Sequence, residues 1–154
     1  MRYLLPLLLL LAALPVRAAD RYALPSADLE QIIEFFARET APPRTYALDY
    51  SPDHPVSLIT DAGEADAYIA FNLIPTAKGA QGVGPTYFLN IVSGQIFSLY
   101  ATCTRHTFPR LDAFVAKRRA KHPVPADILA KHQAHFDAVS DPRSTNCGGD
   151  GLPP

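Results

Sequence analysis

Tryptophan, which often anchors sugars and peptides in binding sites, is absent from the 154 residues of this chain. Cysteine occurs twice, so at most one intramolecular disulfide can form. No long basic run is present and the formal net charge is −1, which argues against a nucleic-acid-binding protein. The G-x-S-x-G motif of the α/β-hydrolases is also missing. The missing tryptophan and the missing motif favour a protein that is not an enzyme.

The first 18 residues have the pattern of a secretory signal peptide. Arg2 precedes an apolar run over residues 4–14, and Val16 and Ala18 supply the small residues of a cleavage site. The run is too short to span a bilayer, and no cysteine follows it for lipid attachment. We therefore predict cleavage after Ala18 and a periplasmic or secreted protein, with an uncleaved anchor as the alternative.

The mature chain predicts one domain. Removal of the signal takes away Arg2 and Arg17, which leaves twelve of the 14 Lys and Arg side chains against 15 Asp and Glu. Residues 19–154 are long enough for one modest hydrophobic core, and no repeat or linker divides them. We assign residues 19–140 to a single α+β domain and residues 141–154 to a C-terminal tail.

Periodicity predicts a helix, then four to five strands, then two more helices. An apolar stripe at helical spacing precedes Pro42-Pro43 and comprises Leu29, Ile32, Ile33 and Phe36. Strand patterns occupy residues 44–51, 56–60, 67–75 and 82–103. The C-terminal helices are expected within residues 109–122 and 125–140, each with a proline near its start. The expected fold is α+β, with the N-terminal helix packed on an antiparallel sheet.

The most hydrophobic mature segment, residues 82–103, predicts a β-hairpin. A two-residue turn at 93–94 and a four-residue turn at 91–94 give the same two faces. One face carries Tyr87, Leu89, Ile96 and Tyr100, and the other carries Phe88, Phe97, Leu99 and Cys103. Because both faces are apolar, we expect the hairpin to be central in the sheet. The N-terminal helix would cover one face, and the C-terminal helices or the tail would cover the other.

Cys103 and Cys147 are expected to form a disulfide, because an exported chain meets an oxidising compartment. The bond would join the end of the hairpin to a tail without periodicity and close a loop of about 45 residues, worth about 4 kcal/mol in the chain-entropy model. The alternative is a catalytic Cys103–His106 pair, which we disfavour because a disulfide removes the thiol.

Two histidines on the last predicted helix have a chemical and a structural interpretation. His132 and His135 lie three residues apart, so both could face one metal ion, with His122 or Asp137 as a third ligand. No recognised motif spacing connects these residues. We favour a solvated helix face and predict neither a metal nor a cofactor.

Three carboxylates, Asp61, Glu64 and Asp66, cluster on a predicted turn. Paired carboxylates can hydrolyse glycosides, but a solvated turn explains these three without chemistry. The glycine-bearing segment 78–84 precedes a strand rather than a helix, so it predicts a strand connection and not a phosphate site.

The hairpin resembles that of small bacterial immunity-protein families with cystatin-like or nuclear-transport-factor-like folds. In those families an apolar strand starts near Gly-Pro, reaches Asp or Asn, turns at Ser/Thr-Gly and continues as an apolar strand. Here Gly84-Pro85, Asn90, Ser93-Gly94 and Ile96-Phe97 occupy these places. The resemblance covers residues 26–102. It implies a protein that binds and neutralises a toxin acting outside the cytoplasm, such as a cell-wall hydrolase.

A protein-binding function places affinity in exposed loops rather than in the core. The candidate loops are 52–55 and 76–84, and the candidate partner-binding residues are Asp53, His54, Lys78, Gln81 and Val83. One alternative is a small-ligand carrier whose cavity, between the helix and the curved sheet, is lined by Phe35, Phe36, Tyr87 and Tyr100. The other is a hydrolase that uses His106 or His132 in the same concavity.

The signal peptide generates a prediction about export. When the full chain is expressed in a bacterium with a periplasm, we expect the periplasmic protein to begin at Ala19, because the cleavage site needs small residues at positions 16 and 18. Intact mass and N-terminal sequencing measure this, and Ala18→Arg should leave the precursor uncut. A wild-type chain that keeps residues 1–18 would contradict the prediction.

Overall fold

The computed structural model describes residues 21–42, 45–76 and 84–148. The elements are α1 (Ser26–Thr40), β1 (Tyr46–Tyr50), β2 (Val56–Ile59), β3 (Ala65–Pro75), β4 (Thr86–Asn90), β5 (Ile96–Leu99), β6 (Cys103–His106), α2 (Pro109–Arg119), α3 (Ala126–Val139) and a short 3-10 helix (Thr145–Cys147). The predicted α+β layout is confirmed. None of the helices in the described part of the chain is long and apolar enough to cross a membrane.

The strands form one antiparallel sheet in the order β1-β3-β4-β5-β6. β1 and β2 both pair with β3, one after the other, so they lie end to end along the same edge. The β4–β5 hairpin is therefore central, as predicted. β6 was not expected from the sequence. Its Thr104 and Arg105 are both exposed, so no alternation of apolar and polar residues marks it as a strand.

The hairpin has the four-residue turn, 91–94. The N–H of Asn90 donates to the carbonyl of Gln95 at 2.9 Å, and Phe88 lies opposite Phe97 in the ladder. This register separates the two apolar faces as predicted. The turn also needs its glycine. Gly94 has a φ of 76°, and a Cβ at that position would lie 2.5 Å from Cγ1 of Val115 on α2.

One face of the sheet packs against α1, with α2 alongside. The predicted stripe of α1 is fully buried there, and Phe36 meets Phe71 and Tyr87 edge-on at ring distances of 5.8 and 5.1 Å. The buried cluster contains Leu29, Ile32, Ile33, Phe36, Ile69, Phe71, Leu89, Ile96 and Leu111, among others. Burial of each large apolar side chain contributes about 1.5–3 kcal/mol, so this layer is the principal core.

The opposite face packs against α3 and the tail. The buried cluster here consists of Tyr68, Phe97, Cys103, Phe136, Val139 and Cys147. Cys103 and Cys147 form the expected disulfide, with their Cα atoms 5.1 Å apart. Asn146 reinforces the attachment, since its side-chain amide donates to the carbonyl of Ile59 at 2.8 Å. The disulfide thus fastens the described part of the tail to the sheet.

Removal of the disulfide should lower stability without changing the fold class. We expect Cys103→Ala with Cys147→Ala to reduce the free energy of unfolding by about 4 kcal/mol, because the unfolded chain regains the entropy of a loop with a sequence separation of 44. Urea denaturation measures this. Reduction of the wild type, which keeps both side chains, is the matched control and should give a similar loss. Equal stability of all three forms would contradict the prediction.

Candidate functional site

α3 covers only one end of its sheet face. Its buried residues are His135, Phe136 and Val139, and Phe136 meets Phe97 at a ring distance of 5.7 Å, near the turn of the hairpin. Toward the other end, the same face is partly exposed. We call this uncovered part the open face. It is formed by Ala47, Asp49, Val56, Ala70, Asn72, Ile74, Thr86, Phe88 and Leu99.

The open face is apolar at its centre and polar at its margin. Phe88 and Leu99 are half-buried, while Val56 and Ile74 are 37% and 47% exposed. At the margin, the hydroxyl of Thr86 donates to the side-chain carbonyl of Asn72 at 3.0 Å. A hollow of about 330 Å³ lies at this end between β3 and β4, lined by Asn72, Leu73, Ile74, Pro75, Gly84, Pro85 and Thr86. Such a surface is suited to binding another molecule, because its centre is apolar and two polar side chains at its margin are hydrogen-bonded to each other.

A buried carboxylate attaches α3 to the sheet. Asp66, on β3, is 5% exposed. Its Oδ2 lies 2.6 Å from Nδ1 of His132 and accepts from the side-chain amide of Asn90 at 2.9 Å. Its Oδ1 accepts from the backbone N–H of Ala67 at 2.8 Å. Because a carboxylate only accepts, Nδ1 of His132 carries the proton of their hydrogen bond.

These hydrogen bonds decide the ionisation of Asp66. Burial by itself raises the pKa of the carboxyl, but the hydrogen bonds from His132, Asn90 and Ala67 outweigh burial and hold the pKa below its usual value. Asn90 is oriented in turn, since its side-chain oxygen accepts from the N–H groups of Val92 and Ser93. Asp66 is therefore a charged, fully bonded anchor.

His135 makes the second polar attachment of α3. Its Nε2 lies 3.1 Å from the carbonyl oxygen of Glu64, and its Nδ1 lies 2.9 Å from the hydroxyl of Tyr68. The carbonyl can only accept, so Nε2 donates and Nδ1 accepts from the phenol. Burial raises the pKa of Tyr68, which keeps this phenol protonated as a donor.

The prediction that His132 and His135 lie on a solvated face of α3 is therefore wrong for both residues. The side chain of His132 is 13% exposed, and His135 as a whole is 6% exposed. The suggested third metal ligands lie elsewhere. His122 pairs with Asp28 at 3.0 Å, and Asp137 pairs with Arg105 at 2.9 Å. In residues 21–42, 45–76 and 84–148 no group of three or more potential ligands is placed to hold a metal ion.

The predicted partner-binding residues fall in two places. Asp53 and His54 lie in the exposed turn between β1 and β2, where Asp53 accepts from the hydroxyl of Ser26 at 3.3 Å and His54 Nδ1 lies 2.9 Å from the hydroxyl of Ser51. This turn leads directly into Val56 of the open face. Lys78, Gln81 and Val83 lie outside the described residues. In the sequence they fall between β3 and β4.

The cavity predicted between the helix and the sheet is filled. Phe36 and Tyr87 pack on each other, and Phe35 stacks on Phe114 of α2 at a ring distance of 4.3 Å. Tyr100 does not belong to this face at all. β5 ends at Leu99, and the side chain of Tyr100 is 73% exposed in the following turn. The small-ligand site proposed from these four aromatics is therefore wrong.

The residues of two other chemical interpretations, the Cys103–His106 pair and the clustered carboxylates, also make structural contacts. The sulfur of Cys103 is in the disulfide, and His106 Nε2 lies 2.8 Å from the hydroxyl of Ser98, while burial lowers the pKa of the imidazole. Of the three clustered carboxylates, Asp61 and Glu64 are exposed and Asp66 alone is buried. The predicted solvated turn is correct for the first two and wrong for Asp66.

No family model, curated protein or solved structure matches this chain.

The attachment of α3 generates a prediction about pH. We expect Asp66→Asn to lower the free energy of unfolding by about 2 kcal/mol at pH 7, the usual worth of a charged hydrogen bond. A carboxyl with a lowered pKa stabilises the fold above the unfolded-chain pKa of about 3.9, and this stabilisation is lost as the pH falls further. The deficit of Asp66→Asn should therefore shrink below about pH 4.

Urea denaturation between pH 7 and pH 3 measures this deficit. Asp49→Asn is the matched control, because Asp49 is exposed on β1. Its stability should follow that of the wild type at every pH. A deficit of Asp66→Asn that stays constant across the range would show that ionisation of Asp66 does not stabilise the fold.

Proposed function

We propose that the mature chain is an exported protein-binding module that holds its partner on the open face. The observation that carries this proposal is the exposure of Val56 and Ile74 beside half-buried Phe88 and Leu99 on a sheet face that α3 leaves uncovered. An apolar patch with a polar margin is the composition of a protein interface. The turn at 51–55 leads into Val56, so Asp53 and His54, predicted from the sequence, extend the same surface.

We further propose that the partner is a bacterial toxin or effector acting in the periplasm, such as a cell-wall hydrolase, which this protein neutralises. The support is the resemblance of the hairpin to immunity-protein families, together with the expected export of the mature chain. A helix packed on an antiparallel sheet agrees with the architecture that the resemblance implies.

A binding role rather than a catalytic one agrees with the polar contacts. Asp66 and His132 bond to each other, His135 is held by Tyr68 and Glu64, and Cys103 is in a disulfide. These side chains, which have the chemistry of a hydrolase, are used to attach α3 and the tail. We accordingly assign the protein no cofactor.

The test first identifies the genes that flank this one and takes an exported enzyme among their products as the candidate partner. The purified mature protein should form a stoichiometric complex with that enzyme and abolish its activity. Ile74→Asp should weaken the complex at least tenfold, because it buries a charge at the interface. Titration calorimetry and residual enzyme activity measure both effects.

Ile59→Asp is the matched control. Ile59 is also an isoleucine at a strand end, with 55% exposure, but its register partner Ala65 places it on the opposite face of the sheet. It should bind like the wild type. Equal weakening by both substitutions would overturn the open face as the site, and the absence of any complex with the neighbouring enzyme would overturn the toxin partner.

A further inference from the structure

A second recess lies at the end of the sheet away from the open face. α2 and α3 pack on opposite faces of the sheet, and residues 120–125 pass round the hairpin turn between them. Residues of both helices line a cleft of about 330 Å³ at the turn. Its volume is at the lower end of the range for small-molecule sites.

The walls of the cleft are mainly aliphatic. Leu111 and Val115 contribute from α2, and Leu129 and Phe136 contribute from α3. Ala116 lines the cleft from an exposed position on α2, so a larger side chain there would occupy the cleft without entering the core. A branched aliphatic group fits such a lining, because it removes apolar surface from water on both walls.

The uncharged polar groups in the cleft are two side-chain amides and the hydroxyls of Ser93 and Thr107. Gln95 and Gln133 face it from the turn and from α3, and Thr107 lies at its end. The side-chain oxygen of Gln95 is buried and has no hydrogen-bond partner among the described residues. Because the last torsion of a glutamine is broad, a small rotation directs this amide into the cleft. An amide group of a ligand can both donate to and accept from such a side chain.

The ionisable groups at the cleft leave one buried hydrogen-bond donor free. Arg119 donates from both terminal nitrogens to the backbone carbonyls of Tyr22, Val92 and His122, but its buried Nε has no hydrogen-bond partner among the described residues. Asp112 is exposed to solvent. Burial lowers the pKa of His106, so its imidazole is neutral at pH 7. The carbonyl oxygen of an uncharged amide can accept from this Nε–H, whereas a charged ligand would also lose its own hydration.

We propose that this cleft binds an uncharged peptide unit, an aliphatic side chain flanked by two amide groups. The aliphatic group lies between Val115 and Leu129, and the amides pair with Gln95 and Gln133. The cleft lies at the hairpin turn, and so this site is independent of the proposed partner on the open face.

The test uses N-acetyl-leucinamide as the probe and amide chemical shifts of the mature protein as the readout. We expect saturable shifts at Ser93–Gln95 and Leu129–Gln133, with a dissociation constant in the millimolar range for so small a ligand. N-acetyl-leucinate, which carries a charge, and 3-methylbutanol, which lacks both amides, should each bind at least fivefold more weakly.

Substitutions on α2 and α3 complete the test. Ala116→Leu should abolish the shifts by filling the cleft, while Ala113→Leu, at an exposed α2 position outside the cleft, should leave them unchanged. Gln133→Leu, which keeps the size and removes the amide, should weaken binding at least threefold. Unsaturable shifts, shifts that survive in Ala116→Leu, or equal binding of 3-methylbutanol would overturn the proposal.

Discussion

The β4–β5 hairpin is apolar on both faces, and the rest of the fold follows from the need to cover each face. A strand pair with two apolar faces cannot lie at the surface, so β3 and β6 flank it and helices cover it above and below. α1 supplies the larger cover with a complete apolar stripe. α3 and the disulfide-linked tail supply the other cover at the turn end, where the chain returns after passing round the hairpin.

The two covers differ in chemistry, and the candidate binding surface results from that difference. α1 buries five residues, all apolar, whereas α3 buries three, of which one is His135. α3 is therefore attached partly by polar bonds, through Asp66 with His132 and through Tyr68 with His135. It covers less of the sheet than α1 does. The uncovered remainder is the open face on which we place the protein partner.

Much of the fold was predictable because its signals are local. The stripe of α1, the alternation of the strands and the prolines at the starts of α2 and α3 depend on residues a few positions apart, and each predicted the correct element. The four-residue turn agrees with one of two alternatives that leave side chains on the same faces. β6 was missed because its exposed Thr104 and Arg105 give no apolar alternation, and pairing with β5 alone defines it.

The candidate sites were much less predictable, because they depend on contacts between distant segments. By its composition and periodicity, the sequence determined the α+β class, the central hairpin and the pairing of its two cysteines. It could not show that Asp66 lies against His132, 66 residues away, so both were assigned to solvent. The sequence signal for this contact was the presence of two polar residues, Asp66 and Asn90, at the ends of apolar strands. Only the tertiary structure decided how far α3 extends over the sheet. The position of the helix depends on the combined packing of residues from the helix and from the sheet, and no local sequence pattern contains that information.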